Sequence, residues 1–180
     1  MEFDKVIETR RSIRNYDSTK TVTKETLEKL IYAAIQAPSW KNSQTARYYC
    51  VVSKEAAEKF RNECLPEFNA KNSKGAAAFI VTAFVKNIAG FNTETGEKTN
   101  ELGNGWGIYD LGLHNENLLL KAADLGLDTL VMGIRNTEKI TEMLNIPENE
   151  CIVSVIAVGY SAKDAVKPKR KQVEDIAKFF

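Results

Sequence analysis

Apolar residues recur along this chain in two rhythms, and the rhythms predict its elements. Leu27, Leu30, Ile31, Ala34 and Ile35 share one face of a helix predicted over about residues 24–37, which Pro38 ends. Phe3, Val6 and Ile7 predict a shorter helix over residues 3–10. Residues 54–64 and 137–145 predict two more, with Pro147 just past the second. The longest helical pattern covers residues 108–125, where Leu111, Leu118, Leu119, Ala122 and Leu125 hold the spacing and Leu120 and Ala123 widen the apolar face. A helix patterned this way is central and heavily buried, and Gly126 fits its stop. Unbroken runs predict buried strands at Tyr48 to Val52, Ala76 to Val85 and Cys151 to Tyr160, with a short apolar segment from Thr129 to Met132 closed by Gly133. Residues 87–105 break both rhythms. They carry Gly90, Gly96, Gly103 and Gly105 among Asn and Thr residues, and read as a lid or substrate loop. Helices and strands alternate around a long middle helix, which predicts an α/β or α+β sandwich.

Composition narrows the picture modestly. At 180 residues, 43% apolar and 27% charged, the chain is expected to form one domain with a sizeable core. A net charge of +1 gives no long-range field for nucleic acid or anionic lipid, so basic residues matter only where they cluster. Cys50, Cys64 and Cys151 form no Cys-x-x-Cys pair, which argues against a disulfide framework or zinc site and for a reducing cytoplasm. Cys50 and Cys151 lie in apolar runs and are expected to be buried and inert. The first residues lack the pattern of a signal peptide, and no apolar run is long enough to cross a bilayer.

Two clusters carry candidate chemistry. Arg10-Arg11-Ser12-Ile13-Arg14 packs three guanidinium groups and a hydroxyl into five residues. Three cations so close repel one another, and a dianionic ligand is one reason to keep them together; arginine's planar fork matches phosphate oxygens. Cations ending a helix also complement its dipole, so both readings stand at this point. The second cluster is Lys167-Pro168-Lys169-Arg170-Lys171, either a second wall for an anion or a solvated basic turn. Between them lies a polar, aromatic loop, Ala37 to Gln44. His114, the single histidine, sits mid-helix and is a poor catalytic candidate. Gly103-Asn104-Gly105-Trp106-Gly107 follows a polar loop instead of a strand, so it is a weak dinucleotide fingerprint.

In order, Ile7 to Tyr16, Ala33 to Gln44, Asp110 with Asn117 to Leu127, and Pro168 to Lys171 resemble the four characteristic segments of the nitroreductase family. The resemblance implies an α+β fold with a mostly antiparallel sheet flanked by helices, an intertwined homodimer, and FMN at the subunit interface. It implies that Arg10, Arg11 and Ser12 hold the FMN phosphate together with Lys169 and Arg170, and that Arg14 lies near the ring's N1 and C2 carbonyl. Pro38, Ser39, Trp40 and Asn42 would contact the ring from the other subunit, and Val131, Met132 and Gly133 would run backbone along it near N5. Residues 172–180 would extend toward the partner. Phe91, Trp106 and Tyr109 would lie on the substrate side. The implied activity is ping-pong transfer of hydride from NAD(P)H to a nitroaromatic or quinone; the alternative is an FMN-binding or electron-relay protein without efficient NAD(P)H turnover. Thr45-Ala46, Leu130 to Gly133 and Gln172 depart from the usual family pattern.

Overall fold

A computed structural model describes residues 2–180. In chain order the elements are α1 (Phe3–Thr9), α2 (Lys24–Ala34), β1 (Ala46–Val51), α3 (Lys54–Cys64), α4 (Glu67–Asn72), β2 (Ala78–Val85), α5 (Gly105–Asp124), β3 (Asp128–Met132), α6 (Thr137–Leu144) and β4 (Glu150–Gly159). Short 3-10 turns occur at Trp40–Asn42 and Val173–Asp175. The four strands form one antiparallel sheet in the order β1-β2-β4-β3.

Local chemistry sets the helix ends. Thr23, Ser53 and Asn136 each cap a helix by accepting a backbone N–H three residues on, at 3.0–3.2 Å. Helix α2 stops at Ala34, short of the expected residue 37. Pro38 disfavours helical geometry at Ala37, and the chain tightens into a turn, with Ala37 N–H donating to the Ala34 carbonyl at 3.0 Å. Gly126, at φ +74°, ends α5 as expected, with Leu127 N–H returning to the Ala122 carbonyl at 2.8 Å.

Each sheet face carries its own core. Phe60, Phe79, Leu130, Ile140 and Val155 pack on one face, under α3 and α6, and Ile13 joins them from the loop after α1. Leu27, Leu30, Ile80, Leu118 and Ile156 pack on the other, where α2 lies against α5. Strand β2 is buried at every position because it is internal and covered on both faces.

Strand β1 departs from its prediction. The apolar run predicts a buried strand, but β1 is an edge: Tyr48 and Tyr49 are half-buried and Cys50 is exposed. Its large aromatic residues cover the sheet without being enclosed by it. Cys151 is also only half-buried, so Cys64 is the one buried thiol. Cys50 is exposed where the sequence predicts burial, although desolvation around its sulfur pushes the thiol up to about 11.

Loop 87–105 is built of turns. An isolated bridge joins Phe91 to Lys98, and Ala89 and Phe91 are buried. Residues Val173 to Phe180 form no continuous helix or strand. No helix among the described residues is long and apolar enough to cross a membrane.

Candidate functional site

The chain leaving α1 runs along the open edge of β3. Ile13 N–H donates to the Thr129 carbonyl at 2.9 Å, and Ser12 forms an isolated parallel bridge with Thr129. Ile13 thereby buries its side chain, 5% exposed, and its neighbours are turned outward. Arg10 lies beside Glu116 of α5 at 3.8 Å. Arg11 Nη1 donates to the Arg10 carbonyl at 2.6 Å, and Arg14 Nη1 to the Ser12 carbonyl at 3.4 Å. Ser12 is exposed, and its hydroxyl bonds to nothing among the described residues. The result is a shelf of held guanidinium groups with open donors.

The far end of the chain returns to this shelf. Lys167 Nζ lies 3.8 Å from Glu8 Oε1, on the helix that leads into Arg10. Lys169 and Arg170 follow directly, both exposed. Lys167, at the head of the second basic cluster, thus lies beside the helix that leads into the first, more than 150 residues earlier in the chain.

Beyond Thr129, Val131 and Gly133 expose the β3 edge, while the Met132 side chain is buried, leaving only its backbone for a ligand. Arg135 holds this segment: Nη1 donates to the Gly133 carbonyl at 2.6 Å and Nη2 to the Ile152 carbonyl. Burial lowers the pKa of this guanidinium from its ordinary value. Asn69 Nδ2 donates to the Ile134 carbonyl at 2.7 Å, bringing α4 against the same segment; the next residue back, Phe68, is exposed. Sequence reading missed Phe68 and Asn69, because α4 has six residues and is too short to display a period.

Trp40, in the loop that carries Pro38, Ser39 and Asn42, packs on the first half of α5. Trp40 N–H donates to Asp110 Oδ2 at 2.8 Å, and the Trp40 ring stands 4.6 Å from that of Trp106, which in turn meets Tyr109 at 5.7 Å. Ser39 Oγ accepts from Gln44 N–H at 3.1 Å. Lys41, Asn42 and Gln44 have positive φ, so the loop is a strained shape held by these contacts. Among the described residues no hydrogen bond or ion pair joins this loop to the Arg10–Arg14 shelf. Both sets of candidate residues touch α5, Arg10 at Glu116 and Trp40 at Asp110.

Other candidates resolve into packing. His114 is buried, with Nδ1 2.8 Å from the Asp110 carbonyl of its own helix. Gly107 lies against Phe84: a Cβ there would fall 2.3 Å from Cδ2 of that ring. Among the described residues no three His, Cys, Asp or Glu side chains gather as a metal site.

Comparison with known proteins agrees with the architecture. The family model described as "Nitroreductase family" matches residues 7–160. A protein of Archaeoglobus fulgidus named "Putative NADH dehydrogenase/NAD(P)H nitroreductase" is 31% identical over 87% of this chain and 83% of its own. A structure from Clostridium acetobutylicum titled as a "Putative NADH Oxidase" is 32% identical, covers 96% of this chain and 97% of its own, and has a TM-score of 0.72. A "putative nitroreductase" of Exiguobacterium sibiricum, solved in complex with FMN, shares the fold at a TM-score of 0.86, with 22% identity over 100% of this chain and 98% of its own. The antiparallel sheet, its helical layers and the matched span agree, and the chain belongs to the nitroreductase family.

Proposed function

We propose that this protein is an FMN-dependent oxidoreductase, taking hydride from NAD(P)H and delivering it to a flat, electron-poor acceptor such as a nitroaromatic or a quinone by a ping-pong mechanism. The Lys167–Glu8 ion pair is the observation that carries the reading, because it sets Lys167 beside the helix that leads into Arg10. The shelf fits a phosphate monoester. Ser12 has a free hydroxyl, Arg10 and Arg11 are tethered so that less side-chain freedom is lost on binding, and Lys169 and Arg170 supply further charge. Arg14, exposed on the same loop, would favour negative charge on the ring. The exposed edge at Val131 and Gly133, and the Met132 backbone between them, would lie along the ring, with Arg135 fixing that segment.

FMN when bound supplies the hydride chemistry, and the protein binds and orients. This agrees with a site where His114 is committed to its own helix and the nearby carboxylates, Glu116 and Glu8, are paired with Arg10 and Lys167. Pro38, Ser39, Trp40 and Asn42 would serve the ring bound to a second copy. Trp106 and Tyr109 continue that aromatic face toward the acceptor, while Phe91 is buried in its loop and would act through packing.

The test is direct. Purified protein should bind FMN with quenched fluorescence, and anaerobic NADH or NADPH should bleach the flavin absorbance. Bound but unbleached FMN would leave an electron-relay protein; no binding would overturn the proposal. Arg10→Ala should weaken FMN binding at least tenfold, since a charged hydrogen bond contributes about 1.5–3 kcal/mol. Unchanged affinity would remove Arg10 from the phosphate site.

A further inference from the structure

A cleft of about 800 Å³ opens at the end of the sheet where β1 finishes and β2 begins. Arg14, Lys20, Lys54, Arg61, Lys71 and Lys74 line it, against a single carboxylate, Glu58. The whole chain has a net charge of only +1, so the rest of the molecule is net negative and the cleft concentrates the positive charge. Two of its cations have acidic neighbours: Arg61 lies 3.6 Å from Glu58, and Lys20 lies 4.0 Å from Asp17. Lys54, Lys71 and Lys74 have no carboxylate within ion-pair distance among the described residues. The floor is different in kind. Half-buried Val52, Ala76 and Ala77 form an apolar surface, backed by the buried Phe79 and Ala57.

The walls come from separate parts of the chain: the loop after α1, the start and body of α3, and the turn after α4. That turn is built tightly. Gly75, at φ +84°, lets its backbone approach the Tyr16 carbonyl so closely that a Cβ there would stand 2.5 Å from the oxygen. Folding therefore draws together cations that repel, around an apolar floor of the size that small-ligand sites have. The Arg10-Arg11-Ser12 shelf follows the edge of β3 and contributes nothing to the lining; Arg14 alone stands between the two regions.

We propose that this cleft is a second anion site, which takes a nucleotide carrying at least two phosphates, with its base on the apolar floor and its phosphates among Lys54, Lys71 and Lys74. The inference does not depend on the flavin reading, and its test separates the two. ADP would be titrated calorimetrically into protein saturated with FMN and into protein without it, at low salt, with adenosine as the uncharged probe. One ADP per chain is expected in both states, with adenosine at least tenfold weaker. Lys54→Gln/Lys71→Gln/Lys74→Gln should weaken ADP at least tenfold and leave FMN binding unchanged; all three lysines are exposed, and a thermal melt verifies folding. Arg10→Ala should retain ADP binding while losing FMN. Absence of ADP binding, equal affinity in the triple variant, or displacement of ADP by FMN would each overturn the proposal.

Discussion

At the level of single residues, Asp110 shows how a buried charge can fix a loop. It is 4% exposed and accepts the Trp40 N–H at 2.8 Å, which anchors the strained turn carrying Ser39 and Asn42. Burial raises its carboxyl pKa from the ordinary value, with the Trp40 hydrogen bond and His114 opposing the shift. The folded state therefore holds this proton more tightly than the unfolded chain does. The associated stability is full below the ordinary carboxylate pKa and is lost as pH rises through the folded-state value. Asp110→Asn keeps an acceptor and removes the charge, so its melting temperature near neutral pH should equal or exceed that of the parent, with a flatter slope as pH rises above the ordinary carboxylate pKa. Asp110→Ala leaves the Trp40 N–H without its acceptor and should cost about 1–3 kcal/mol. Melts across this pH range decide the matter, and matching losses in the two variants would refute the anchoring role. The sequence displayed Asp110 and Trp40 as residues of interest. Their contact spans 70 positions, and no local pattern encodes it.

Elements were legible in proportion to their length and burial. Helix α5 announces itself because its apolar residues meet the core on a regular period, and strands β2 and β4 because internal strands covered on both faces need unbroken apolar runs. Helix α4 escaped because six residues cannot establish one, and with it went Asn69 and Phe68. The apolar run of β1 was visible, whereas its place at the edge depends on strand order, which periodicity does not contain. Gly107 lies where α5 crosses β2, and only glycine allows that approach to Phe84. Gly107→Ala would bring Cβ to 2.3 Å from a buried ring, so Phe84 or the helix must move. Overpacking of this kind costs typically about 1–3 kcal/mol. Denaturant unfolding would show it as a lower midpoint, whereas a variant at least as stable as the parent would mean that α5 slides freely over the sheet.

On the scale of the whole molecule, the basic shelf, the aromatic loop and the tail raise one question: what a second copy would complete. From residue 164 onward, the Lys167–Glu8 ion pair is the only hydrogen bond or ion pair that ties the chain to its body among the described residues. Val166, Ile176, Phe179 and Phe180 are at least 73% exposed there, while Phe3, Tyr32, Ile35 and Tyr109 expose apolar surface on the body. So much apolar surface in water is unfavourable unless a partner covers it. The family resemblance directs residues 172–180 to a partner, and the proposed function places the Pro38–Asn42 loop at the ring bound by a second copy. We therefore predict a homodimer by light scattering, and a chain truncated after Lys171 that dimerises more weakly. Because the Pro38–Asn42 loop would come from the partner, truncation should also weaken FMN binding and make that affinity depend on protein concentration, although Arg10, Arg11, Ser12, Lys169 and Arg170 are all retained. A truncated chain that remains dimeric and binds FMN unchanged would show that the tail holds neither the assembly nor the site.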